Sequence, residues 1–388
     1  MKEHERPMPG KTVRRFVMGD MKVQKPRLVR TLQDLVRIPS HESCDEISRY
    51  VASEIRKLGI NPSVDRDGNI IARVGTGQAL LLNAHMDTVG VKGYGDAFSG
   101  EVRGDRLYGR GSTDDKSGVA AMLELMKILK ENPPKKQVTF AFTVGEEGGD
   151  EYTDGAFRVV RRVRATHGLV LESSMHEDGR ADISIGCKGR IVASIEVPGK
   201  AIHSSRPQMG INPIYKSARL IDALKQLEAP SLQTPLGRES STAAVTQIEA
   251  REGSNVIPSR CTLTLDYRAV PGEGHAAIKR RIEAACRKAL GKSFRLSFME
   301  SKQGFIQEDR RFRRMCIDSA REAGLKASEQ IMSGWIDAHV FNKAGIITLN
   351  MGPGTLGQAH MNPEYCWLPG LVKGTQAVLN IIRGWDAQ

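Results

Sequence analysis

The hydrophobic rhythm of this chain changes once and later changes back, which restricts its fold more than composition does. Leu28, Leu32, Leu35 and Val36 share one helical face, and Ile47, Tyr50, Val51, Ile55 and Leu58 share another. Apolar runs at 69–74 and 79–83 read as strands. A helix over 118–130 stops near Asn132-Pro133-Pro134 and precedes strands at 137–144 and 168–171. Strands alternating with helices predict an α/β domain with a mixed, largely parallel sheet and helices on both faces. From Gly189 the order becomes strand 191–197, helix 212–227, strands 243–250 and 260–269, helix 273–290 and strand 293–299. This β-α-β-β-α-β succession is the ferredoxin-like arrangement. Helix and strand then alternate again, at 309–323, 336–343 and 346–350. The chain therefore reads as a tail at 1–20, an α/β domain split between 21–188 and 300–388, and a module inserted at 189–299.

Its 388 residues suit two domains, and its 40% hydrophobic and 26% charged residues are globular in character. Lys and Arg number 57 against 45 Asp and Glu, a formal charge of +12. Residues 1–37 hold ten basic and four acidic side chains, so half the excess sits in a segment that mostly precedes the α/β fold. The tail lacks interleaved aromatics and no nucleic-acid motif follows it, which argues against a nucleic-acid partner. No apolar run approaches the length of a membrane span, and the N-terminus lacks the apolar stretch of a secretory signal. Six scattered cysteines, without a Cys-x-x-Cys pair, read as reduced thiols of a cytoplasmic protein.

Chemistry concentrates where predicted strands end. LLLNAHMD (80–87) runs an apolar strand into His85-x-Asp87. Open α/β sheets bind ligands at that edge, and Asp87 is placed to orient the imidazole. GRGSTDDKSG (109–118) delivers Asp114 and Asp115 just before a helix. Taken alone, either aspartate could simply cap that helix. TVGEEGGD (143–150) sets Glu146 beside Glu147, LVLESS (169–174) ends a strand on Glu172, and AHMNPEY (359–365) supplies His360 after the glycine-rich GPGTLG. Singly these are a loop histidine, a helix cap and a solvated acidic loop. Together, two histidines and three or four carboxylates from five segments match a dinuclear site of mixed N and O donors with room for water.

Taken in order, these motifs resemble the dizinc amidohydrolases and exopeptidases, which include aminoacylase, acetylornithine deacetylase, succinyl-diaminopimelate desuccinylase and carboxypeptidase G. The resemblance spans roughly residues 25–388 and includes GKAIHSSRPQMGINPI, NVIP and DYR in the inserted module. It implies that Asp114 bridges two divalent metals, that His85 and Glu172 complete one site, and that Glu147 and His360 complete the other. Asp87 would orient His85 and Glu146 would be the general base. Zinc is the first choice of metal, with cobalt or manganese as substitutes. The inserted module would be a lid and dimerisation domain. Its His203 would approach the substrate carbonyl, often from a partner subunit, and its Asn255 and Arg268 would bind substrate. From the residues alone, Asn255 could order the turn before Pro258, and Arg268 could pair with Asp266 or Glu273.

The resemblance implies hydrolysis of an amide bond in small N-acyl amino acids or peptides by a homodimer. An aminopeptidase or dipeptidase on the same centre is the alternative, and a non-catalytic amino-acid or peptide binder a more distant one. Gly334-Trp335-Ile336-Asp337 stands where the desuccinylase pattern has Gly-Thr-Ser-Asp, which points to a more apolar pocket wall. Glu172, rather than Asp, is similar to the deacylases and carboxypeptidase-like members. His339 reads as a packed histidine, and Arg158–Arg164 as a solvated basic face.

Overall fold

The computed structural model describes residues 21–148, 154–227 and 230–387. The tail at 1–20 lies outside the described residues.

Four parallel strands form the centre of the larger domain. Thr76–His85 lies between Lys136–Thr143 and His167–Met175, parallel to both, and His167–Met175 pairs in parallel with Ile347–Thr355. Leu80, Leu81 and Leu82 are fully buried, as are Phe140, Phe142, Leu169 and Leu171, because helices cover both faces. Antiparallel strands extend this into a nine-stranded mixed sheet among the described residues. Lys25–Val36 and Asp45–Lys57 follow the two predicted N-terminal helices, and Lys116–Glu131 follows the third.

Two sheet strands were not apparent from the hydrophobic pattern. Arg180–Cys187 pairs in parallel with Lys326–Met332. The latter, KASEQIM, is mostly half-exposed, so it carries little apolar signal. The final helix, Leu368–Asp386, also escaped prediction: Pro369, Gly370 and Gly374 interrupt its pattern, although one face is deeply buried.

The inserted module forms a four-stranded antiparallel sheet in the order Thr242–Glu249, Arg260–Ala269, Gly189–Pro198, Arg295–Lys302. Its helices are Pro213–Lys225 and His275–Leu290. Alternation along Arg260–Ala269 buries Cys261, Leu263, Leu265 and Tyr267 against those helices and turns Thr264, Asp266 and Arg268 to the other face. The last strand reaches Lys302, three residues past the expected boundary. Where the chain leaves and re-enters the larger domain, its two connections touch at Gly189 and Gly304. A Cβ on Gly189 would stand 2.7 Å from the Gly304 nitrogen, and one on Gly304 would stand 2.6 Å from the Gly189 nitrogen. Neither position admits a side chain without a shift of backbone.

All six cysteines are free thiols. No helix among the described residues is long and apolar enough to cross a membrane.

The module has its own apolar cluster, separate from those of the larger domain. Leu263→Ala should cost about 2–5 kcal/mol. Hydrogen exchange should accelerate in the four module strands while protection holds at residues 80–82 and 169–171. Equal acceleration in both regions would show that the two cores unfold as one.

Candidate active site

The four central strands end along one edge of the sheet. His85 closes its strand, Glu146 and Glu147 follow Thr143, Glu172 lies three residues before its strand ends at Met175, and the loop after Thr355 leads to His360. Parallel strands bring these residues together although they are up to 275 positions apart in sequence.

The aspartate pair is divided between two tasks. Asp115 is buried and accepts a hydrogen bond from the Gly118 amide at 3.2 Å, capping Lys116–Glu131. Asp114 turns the other way. Its Oδ1 lies 3.1 Å from Nε2 of His85, and its Oδ2 lies 3.4 Å from Nε2 of His360. Nε2 of His360 is also 3.0 Å from both Glu147 carboxylate oxygens. One donor atom each of His85, Asp114 and Glu147 falls within a span of 4.8 Å. Glu172 lines the same cavity and carries a buried Oε1 with no hydrogen-bond partner.

Asp87 does more than orient a histidine. Nδ1 of His85 donates to its main-chain carbonyl at 3.0 Å, with the Asp87 carboxylate 3.6 Å away. That carboxylate accepts the Gly145 amide at 2.8 Å and the Glu147 amide at 3.0 Å. It therefore also holds the loop that bears Glu146 and Glu147. Val144, just before this loop, donates its amide to Oδ1 of Asn69 at 3.0 Å.

The electrostatics call for added positive charge. Burial would lower the His85 imidazole, but the hydrogen bonds it donates to Asp114 and Asp87 outweigh it and hold the ring well above its ordinary range. Hydrogen bonds to Asp114 and Glu147 push His360 up to about 10. Burial raises Glu172 well above the usual carboxylate range, reinforced by Glu146 and Asp114. Burial likewise pushes Glu146 up to about 8, with Glu147, Asp114 and Asp87 adding repulsion against the His85 attraction. Imidazoles and carboxylates so close together, one with an orphaned buried oxygen, form a donor set that fits divalent cations.

A cavity of about 720 Å³ opens over this cluster. Its far wall is the open face of the module sheet, including Thr264, Asp266 and Arg268, and Trp335, Met332 and Leu356 supply apolar surface. Of the two large apolar residues expected at this wall, Trp335 lines the cavity and Ile336 is buried in the domain core. Arg268 pairs with Asp266 at 2.8 Å. His203 and Asn255 are neighbours, with side-chain nitrogens 3.4 Å apart, but both are exposed and neither is among the cavity-lining residues. His339 is packed near Trp335 and Phe305, and burial pulls it down to about 4.

Two buried residues with a role here were not singled out from sequence. Arg110 and Glu364, 2% and 0% exposed, form an ion pair at 2.7 Å that ties the 109–115 loop to the segment after His360. Glu364 stood in view in AHMNPEY, but its partners are main-chain amides some 250 residues away.

The model of peptidase family M20/M25/M40 matches residues 81–384. The chain belongs to this family. Carboxypeptidase G2 of Pseudomonas sp. (strain RS-16) is 29% identical over 283 residues, 69% of this chain and 66% of that protein. Succinyl-diaminopimelate desuccinylase of Cereibacter sphaeroides is 32% identical over 333 residues, 79% of this chain and 85% of that one. Among solved structures, a tripeptidase from Staphylococcus aureus superposes with a TM-score of 0.78 at 24% identity, covering 95% of this chain and 100% of its own. A family M20 metallo-carboxypeptidase from Sulfolobus solfataricus gives 0.77 at 18% identity, covering 93% and 99%. Both share the fold. This M20 chain is a metal-dependent hydrolase of peptide or amide bonds.

Cation binding to such a cluster should stabilise the folded chain. At a zinc concentration 100-fold above the dissociation constant, the gain should be about 2.7 kcal/mol over the chelator-stripped chain. Asp114→Asn should lose most of that gain. Thermal unfolding checks this, and a melting temperature indifferent to zinc would contradict the assignment of a metal site.

Proposed function

We propose that this M20 hydrolase cleaves the amide bond of small N-acyl amino acids or peptides, as a deacylase or carboxypeptidase-like enzyme. The observation that carries the reading is Asp114, with one carboxylate oxygen toward His85 and the other toward His360. Two divalent cations, zinc in the first instance, would be held there. His85 and Glu172 would complete one set of ligands, Glu147 and His360 the other, and Asp114 would serve both. Bound cations supply an acidified water and polarise the scissile carbonyl.

The chain's own side chains do the rest. Glu146 takes a proton from the attacking water at its carboxylate and returns it to the leaving nitrogen. It lines the same cavity as Asp114, Glu147 and Glu172, where a general base for the attacking water must stand. Asp87 keeps Glu146 and Glu147 in place through the Gly145 and Glu147 amides. Arg268, across the cavity, binds a substrate carboxylate, its guanidinium already steadied by Asp266. His203 and Asn255 complete the polar contacts to the substrate carbonyl when the module closes or a second subunit presents them. The module supports a homodimer, with Met209, Ile211, Ile214, Tyr215 and Ile248 exposed on it. A cytoplasmic setting suits the six free thiols.

Glu146→Ala should lower kcat by about 100- to 10,000-fold while zinc content stays at the wild-type level. Ordinary turnover in the metal-replete variant would remove Glu146 from the role of base. A substrate panel separates the activities. N-acyl amino acids and C-terminally free blocked peptides should be cleaved, and exclusive cleavage of dipeptides with a free amine would favour the aminopeptidase reading.

A further inference from the structure

Asp114 can serve two histidines only if the loop that carries it is held to within a fraction of an ångström. That loop has no regular secondary structure before Lys116. Its main-chain amides must therefore find acceptors elsewhere. Three of them find the same carboxylate, that of Glu364. Oε2 of Glu364 accepts the Gly111 amide at 3.0 Å and an Arg110 guanidinium N–H at 2.7 Å. Oε1 accepts the Thr113 amide at 2.9 Å and the Asp114 amide at 3.2 Å. The Gly109 amide donates to the Glu364 main-chain carbonyl at 3.0 Å. Arg110 reaches on to Oδ1 of Asn362 at 2.7 Å and to the Met361 carbonyl at 3.3 Å.

Two features set this carboxylate apart. It is fully buried, where charge-assisted hydrogen bonds are strong and difficult to replace. It also belongs to the loop that carries His360, four residues earlier. Thus Glu364 joins the Asp114 loop to the His360 loop in one buried network, and the relative position of the two metal-facing groups is set through it. Other contacts hold neighbouring atoms: Asp115 caps the helix, and Ser173 Oγ donates to the Thr113 carbonyl at 3.1 Å. Glu364 is the acceptor for the amide of Asp114 itself.

Resting on the dinuclear reading of the site, we propose that Glu364 is a positioning residue. It fixes the Asp114 carboxylate relative to His360 and so sets metal affinity, without touching metal or substrate. A glutamine cannot take its place, because an amide has one acceptor oxygen where the carboxylate uses two, and its NH2 group would face N–H donors.

The experiment uses the full-length chain, stripped with chelator and retitrated with cobalt(II). Calorimetry reads affinity, and visible absorption reads ligand geometry. Glu364→Gln should weaken cobalt binding about 10- to 100-fold and alter the cobalt spectrum. Glu364→Asp, which keeps the charge but shortens the reach, should fold and show the same defects. The double variant Glu364→Gln/Arg110→Met distinguishes positioning from mere neutralisation of a buried arginine. Positioning predicts that cobalt affinity stays low, whereas a charge-balancing role predicts its recovery. Wild-type affinity and spectrum in either single variant, or recovery in the double variant, would overturn the proposal. A wild-type chain that binds no cobalt would instead overturn the metal-site reading, and this proposal with it.

Discussion

The site depends on one carboxylate that faces two histidines. Asp114 presents separate oxygens to His85 and His360, while Glu147 closes on His360 and Glu172 brings a further buried oxygen to the same cavity. Carboxylates so close repel one another, and burial makes each costlier to ionise. Protons on the histidines or divalent cations among the donors can offset that cost. The surrounding structure holds the group together despite this repulsion. Asp87 restrains the glutamate loop, Asp115 anchors the helix that starts beside Asp114, and Glu364 gathers three amides of the 109–115 loop.

The sheet explains why these residues meet. Four adjacent strands run in the same direction, so their carboxyl ends deliver His85, Glu146 with Glu147, Glu172 and the His360 loop to a single edge. Buried leucine and phenylalanine side chains beneath that edge make it a rigid platform. The inserted module faces it with a separate core and turns its open sheet face toward the cavity. One face of the module sheet packs against the module helices, and the other lines the cavity.

Much of this was legible in sequence because the motifs are local. His85-x-Asp87, Glu146-Glu147 and the strand running into Glu172 each declare themselves within a few residues. The module was equally clear, since its alternating strands have one dry face. Other features depend on contacts that no local pattern contains. Whether Asp114 or Asp115 caps the helix is decided by which way the loop turns, and both are plausible caps by residue type. Glu364 acts on amides some 250 positions away and resembles any loop acid. Lys326–Met332 is half-exposed, and the glycines and proline of Leu368–Asp386 mask a buried helix. His203 and Asn255 were expected at the substrate, yet in a single chain they lie together on the module, outside the cavity lining.

Anomalous diffraction at the zinc edge from crystals of the metal-replete chain is the most direct test of a shared Asp114. Two peaks should flank Asp114, one within bonding distance of His85 and Glu172 and the other within bonding distance of Glu147 and His360. A single peak, or zinc bound away from Asp114, would contradict the claim that this carboxylate is shared between two metals.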